Sequence, residues 1–295
     1  MKQQIKSSLI LLLTATIWGV AFVAQSVGME YIGPFTFNAI RCVLGGLVLI
    51  PVILVLKKKK ETGAENQEKE DKKTLWAGGI ACGVILCIAS NLQQFGIMEA
   101  SVGKSGFFTA LFIVMIPVIG IFIGKRPGIK LWFCVALAVV GMYLLCMKDG
   151  SFTIERADIM LLLCALVFSF HILVVDYFSP KVDGVKMSCI QFFVCGVLSA
   201  VGMLFTETPD ISNIQAAWLP LLYAGLLSCG VGYTLQIVGQ KGINPVIASL
   251  IMSLESVISA LAGWVILGQV LSPKEILGCV LMFVAIIITQ IPIGN

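Results

Sequence analysis

Residues 101–124 read SVGKSGFFTALFIVMIPVIGIFIG. From Gly103 to Gly124 this is an apolar run of membrane-crossing length, because a helix needs about 20 residues to pass ~30 Å of hydrocarbon. Residues 244–256, NPVIASLIMSLES, echo it. Thr109 through Pro117 sits over Ala248 through Ser256 at an offset of 139. A membrane-length run that recurs in a second half of the chain points to a repeated bundle of membrane helices.

Outward from this run, similar runs fill the chain. They predict helices over Ser7–Val27, Phe35–Leu56, Leu75–Gly96, Gly103–Gly124, Leu131–Met147, Ile159–Phe178, Val185–Thr206, Ala216–Ile237, Ile243–Leu267 and Lys274–Ile293. Breakers separate them: Gly33-Pro34, Pro127-Gly128, Ser179-Pro180, Thr208-Pro209 and Ser272-Pro273. The expected fold is an all-α integral membrane protein of ten transmembrane helices. The one long polar segment, Lys57–Lys73, reads as a solvated cytoplasmic loop.

Composition agrees. Apolar residues make up 58% of the 295 and charged residues 12%, with a mean hydropathy of +1.00. A soluble domain carries about twice that charge fraction. The ten cysteines all fall in apolar runs and His171 is the single histidine, so a disulfide frame or metal site is not expected. Lys2 and Lys6 before Leu9–Val27 look like a signal peptide, but the run is long for one and many like it follow. No nucleic-acid motif occurs, and no G-x-x-x-x-G-K-[ST] loop that would handle ATP.

The halves align elsewhere too. Thr36–Arg41 sits over Lys186–Gln191, and Thr14–Trp18 over Cys164–Phe168, both at an offset of 150. The change from 150 to 139 is largely the polar loop. Each half holds five helices, over 7–147 and 157–293. Five is odd, so the second unit enters the bilayer from the opposite side, giving two inverted five-helix repeats. Lys and Arg placement fits: fifteen fall on the N-terminal side, four on the other, and Arg41 inside the second span. By the positive-inside rule both termini are cytoplasmic, with the chain multi-pass in the plasma membrane.

Ala15-Thr16-Ile17-Trp18-Gly19-Val20-Ala21-Phe22-Val23, Phe35 through Arg41, Ser101 through Leu111 with Pro117, and the Asn244–Glu255 echo with Leu267-Gly268-Gln269 together carry a family resemblance. The chain resembles the drug/metabolite transporter superfamily, EamA type, over nearly its whole length. Two positions depart from that pattern: Glu255-Ser256 stands in place of Glu-Pro, and Gly268-Gln269 in place of Gly-Glu. The resemblance implies a two-repeat carrier with a central cavity. Such a carrier moves amino acids, nucleosides, related metabolites or toxic compounds, often outward.

Polar groups at membrane depth are the candidate site, because a central charge costs at least ~2.5–3.5 kcal/mol on insertion scales. Glu255, mid-way along the ninth span, either takes a proton or a cationic substrate group, or is a protonated carboxyl bonded to a neighbouring helix. Arg41 snorkels outward, holds Glu30 or Glu99, or meets an anionic substrate group. Asn38 lies one turn before it on the same face. Gln93 and Gln94 point ~100° apart and cannot both face one cavity. Gln93, Asn38, Gln236 and Gln191, the repeat partner of Arg41, bond either to substrate or between helices. His171 packs helices or lines the cavity, and Trp18, Phe22 and Phe107 are candidate aromatic lining.

The function expected is secondary transport of a small-molecule substrate by alternating access, by a monomer or homodimer in the lipid bilayer, with no cofactor and with proton coupling left open. A channel is the first alternative, though no repeated pore loop is evident. An intramembrane lipid-modifying enzyme is the second, though one histidine and one mid-membrane carboxylate are few for catalysis. The protein is not expected to be an enzyme.

Overall fold

The computed structural model describes residues 2–62, 71–100, 102–124, 127–146, 155–268 and 272–291. Helices account for nearly all of them, and no strand occurs among the described residues. The first half holds α1 (Lys2–Gly28), α2 (Pro34–Thr62), α3 (Lys72–Glu99), α4 (Val102–Ala110), α5 (Phe112–Phe122) and α6 (Ile129–Cys146). The second holds α7 (Arg156–Phe178), α8 (Gly184–Thr206), α9 (Ile211–Ala216), α10 (Trp218–Leu222), a π-helical segment Tyr223–Tyr233, α11 (Thr234–Gln240), α12 (Pro245–Met252), α13 (Glu255–Leu267) and α14 (Pro273–Gln290).

Among the described residues, eight spans are long and apolar enough to cross a membrane. They are α1, α2, α3, α4 with α5, α7, α8, α10 through α11, and α12 into α13. α6 and α14 are 18 residues each and pack on each other. A Cβ at Gly141 would lie 2.7 Å from Gly278 O, so that pair meets nearly backbone to backbone. The expected count of ten needs α6 and α14 to cross as well, as the fifth and tenth spans.

The structure differs from the sequence expectation in three ways. α2 continues to Thr62, into the segment read as a loop, because Lys and Glu favour helix; residues 63–70 lie outside the described residues, as does Gln269. The fourth and ninth spans are each two helices, broken at Leu111 and at Ser253–Leu254. At the second break the ladder tightens: Leu254 N donates to Ile251 O (3.2 Å) and Ser256 N to Ser253 O (3.1 Å). Ser249, Ser253 and Ser259 hydroxyls bond back to carbonyls three residues earlier, which competes with the regular pattern. The third difference is α9, a short helix that the sequence did not announce.

The units pack by a two-fold rule. α2 packs on α8, and α6 on α14. α3 packs on α7 and α8, while the π segment packs on α1 and α2. α4 and α5 pack on α7, while α12 and α13 pack on α1. Exchanging the units leaves this set unchanged. Fine detail agrees. A Cβ at Gly83 would lie 2.8 Å from Gln191 O and 2.6 Å from Val194 Cβ. At Gly225 it would lie 3.1 Å from Arg41 O and 2.7 Å from Leu44 Cβ. Arg41 and Leu44 are the offset-150 partners of Gln191 and Val194.

The bundle is dressed for lipid. Leu9, Leu54, Phe133, Phe205 and Val265 are exposed, whereas Asn38, Gln94, His171 and Gln191 are fully buried. That inverts the soluble pattern and suits a hydrocarbon solvent.

Candidate functional site

A cavity of ≈ 30 Å³ lies at the seam of the two units, lined by Trp18, Phe22, Gln25, Arg41, Gln93, Thr109, Phe112, Phe168, Ile172, Ser228, Tyr233, Gln236 and Glu255. Both units contribute. Phe168 and Ile172 are the offset-150 partners of Trp18 and Phe22, so the two-fold relation passes through the cavity. That volume admits a water or two.

Each wall has a local cause. On α1, Trp18, Phe22 and Gln25 follow i, i+4, i+7 spacing and so share one stripe. The π segment supplies Ser228 and Tyr233. Its wider turn disturbs the backbone ladder, and α1 side chains cover the result: Trp18 Nε1 donates to Ser228 O (3.4 Å) and Thr14 Oγ1 to Gly232 O (3.5 Å). Glu255 opens α13 at the break in the ninth span, where the helix N-terminus favours a carboxylate.

Arg41 is 2% exposed and does not snorkel outward. Its Nη1 donates to Gln25 Oε1 at 2.7 Å, so its partner is neither Glu30 nor Glu99, and its guanidinium lies 5.6 Å over the Phe37 ring. Arg41 Nε, Gln236 Oε1 and Glu255 Oε1 are buried with no hydrogen-bond partner among the described residues. Glu255 is 4% exposed. No ion pair joins it to Arg41 among the described residues.

Of the residues singled out from sequence, Trp18, Arg41, Gln93 and Glu255 line the cavity, with Phe22 and Gln236. Gln94 turns away and donates to Met29 Sδ at 3.3 Å. Asn38 does not reach the cavity; its Nδ2 donates to Asn91 Oδ1 (2.9 Å), and Asn91 Nδ2 donates to Cys87 O (2.8 Å) and Ser199 Oγ (3.0 Å). His171 Nε2 and Gln191 Oε1 are 3.1 Å apart and join α7 to α8. Phe107 packs in the apolar core. Gln25, Thr109, Ser228 and Tyr233 line the cavity but were not among the site residues expected from sequence. Gln25 was within reach, because it lies on the stripe that Trp18 and Phe22 define.

Beyond the cavity the two faces differ. Opposite the N-terminal face, Lys104 of α4 pairs with Glu155 Oε2 (3.0 Å) and Asp158 Oδ1 (3.0 Å) at the start of α7. On the same face the Glu207 carboxylate, at the end of α8, accepts from Phe35 N, Thr36 N and Thr36 Oγ1 at the start of α2. Both links cross from one unit to the other. Toward the N-terminal face a second space of ≈ 140 Å³ lies between α5, α7 and α12, lined by Ile116, Pro117, Gly120, Pro127, Leu173, Asn244, Pro245 and Val246.

A repeated bundle with a lipid-facing apolar exterior, and with a polar cavity where its halves meet, defines a polytopic membrane transporter. Comparison with known proteins gives the family. The EamA-like transporter family matches residues 5–147 and 155–291, and the chain belongs to it. An uncharacterized transporter of Archaeoglobus fulgidus is 27% identical over 95% of this chain and 84% of its own length. The uncharacterized transporter YwfM of Bacillus subtilis is 24% identical over 95% and 92%. A solved crystal structure superposes with a TM-score of 0.77 over 97% of this chain and 96% of that chain, at 17% identity, which bears on the fold alone.

Proposed function

We propose that this protein is a secondary carrier that exports a small polar metabolite across the plasma membrane by alternating access. Both termini are cytoplasmic in this reading, and α6 and α14 are the fifth and tenth crossings. The observation that carries it is the cavity at the two-fold seam. Two units related by exchange can trade conformations, opening one shared site first to one side and then to the other.

The described conformation suits one stage of that cycle. Cross-unit links tie the face opposite the N-terminus, and the larger space lies toward the N-terminal face. With that face cytoplasmic, this is the loading side for export. Glu255 is the group that takes the substrate's cationic centre or a coupling proton, with Arg41 the other charge in the cavity.

The test is flux into proteoliposomes containing the purified chain, across a panel of amino acids, nucleosides and polyamines. The reading expects saturable uptake with counterflow for at least one class. Linear, non-saturating flux would favour a channel. Turnover of lipid headgroups would favour an intramembrane enzyme.

A further inference from the structure

We propose that Ser256, Lys104 and Glu207 form a one-sided latch, which makes the conformation open toward the N-terminal face the resting state of the empty carrier. This rests on the carrier reading and assigns the residues that set the balance between its two conformations. Each of the three reaches from one unit to the other. Ser256 Oγ, on α13, donates to Gly106 O of α4 at 3.2 Å. The helices nearly touch there, since a Cβ at Gly106 would lie 3.1 Å from Ser259 Oγ and 3.6 Å from Ser256 Cα. Lys104, two residues before Gly106, pairs with Glu155 Oε2 and Asp158 Oδ1 at the start of α7, both at 3.0 Å. Glu207, at the end of α8, accepts from Phe35 N (2.9 Å) and Thr36 N (2.8 Å) at the start of α2.

None of these links is repeated by its two-fold counterpart. The offset-139 partners of Gly106, Ser256 and Ser259 are Pro245, Pro117 and Gly120. Proline has no hydroxyl and glycine no side chain, so neither can donate as Ser256 does. These three counterparts line the ≈ 140 Å³ space toward the N-terminal face. One seam, α4 on α13, is therefore latched and narrow, while its equivalent, α5 beside α12, is unlatched and open. Lys104 and Asp158 correspond to Ile243 and Ser8, which cannot form an ion pair. Glu207 corresponds to Lys57, whose side chain has no acceptor, and α8 is capped instead by its own Asp183, which accepts from Val185 N at 3.0 Å.

The energetic consequence follows from the exchange itself. Opening the face opposite the N-terminus parts α4 from α13 and breaks these links, and the counterpart residues form no replacement for any of them. Two conformations within a few kcal/mol of each other are tipped by differences of this size. One hydrogen bond between membrane helices shifts an equilibrium about 3-fold, and up to roughly 15-fold at its strongest. The inequality is written in the side chains, so it persists when the cavity is empty. Substrate must then favour the opposite conformation by more than the latch opposes it.

The test compares how fast a membrane-impermeant maleimide reaches Gln93→Cys from each side. It uses the full-length chain with the native cysteines replaced, in right-side-out and inside-out membrane vesicles without substrate. With the latch intact, labelling should come chiefly through the N-terminal face. Ser256→Ala, Glu207→Gln and Lys104→Met should each lower the ratio of N-terminal-side to opposite-side labelling by roughly 3–15-fold, and combinations should lower it further. Asp183→Ala removes a cap inside one unit, so it should reduce thermal stability and leave the ratio unchanged. That variant separates a latch from a general loss of stability. If Lys104→Met does not fold, the near-isosteric Ser256→Ala and Glu207→Gln still decide. A ratio unmoved by every latch variant overturns the proposal, as does an intact chain that labels chiefly from the opposite face. Saturable flux with counterflow alongside either result would leave the carrier reading standing. Labelling from neither side, with no saturable flux for any compound, would sink the carrier reading as well.

Discussion

The Glu207 carboxylate caps a helix that belongs to the other repeat: its Oε2 accepts from Thr36 N at 2.8 Å and from Thr36 Oγ1 at 2.6 Å, while Oε1 accepts from Phe35 N at 2.9 Å. The second repeat solves the same problem locally. Asp183, the offset-150 partner of Gly33, caps α8 by accepting from Val185 N at 3.0 Å. Gly33 has no side chain to do this, so α2 borrows its cap across the seam. Glu207→Ala should cost about 1–2 kcal/mol, the usual value of an N-cap. Gly33→Asp alone should destabilise, because a Cβ there would lie 2.4 Å from Glu207 Cδ. In the Glu207→Ala background it should instead restore part of the loss. Thermal denaturation of the four proteins in detergent checks the cycle.

The Lys104 cluster should be unequal in its parts. Glu155 is well exposed, so Glu155→Ala should change stability by less than about 1 kcal/mol. Asp158 is buried, pairs with Lys104, and accepts from Glu155 N at 2.9 Å. Asp158→Ala should cost about 1–3 kcal/mol by removing the cap and leaving its partners unmatched. Chemical or thermal unfolding of the two variants separates them.

Gly83 and Gly225 should behave as equivalents. An added methyl at either would press on a carbonyl and a Cβ of the facing helix, which can yield only by separating the helices. Gly83→Ala and Gly225→Ala should each lower stability by about 1–3 kcal/mol, the usual range for overpacking. Gly103→Ala is the control, because nothing lies within 4 Å of a Cβ there. Thermal shift reads all three.

Much of the fold was written in the sequence because lipid imposes a simple rule: a crossing needs a long apolar run. The halves were visible at Thr36–Arg41 over Lys186–Gln191. The helix breaks at Leu111 and Ser253–Leu254 were not visible, since an unbroken apolar run reads as continuous helix whether or not it carries serines. Site residues divided by what neighbours offer. Glu255 and Arg41 stood out as charges in apolar runs and do line the cavity. Asn38, His171 and Gln191 stood out equally, yet they bond between helices. Nothing in a single sequence says whether an amide at membrane depth faces a neighbouring helix or a void.

Ser228 and Gln93 face the cavity from different repeats, which makes them the most direct probes of a shared, alternately opened site. Each would be changed to cysteine in a background with the native cysteines replaced, then labelled with a membrane-impermeant maleimide applied from one side at a time. The account predicts labelling of both positions through the N-terminal face, with substrate slowing it at both together. Labelling of neither from either face, or of one position only from each side regardless of substrate, would contradict it.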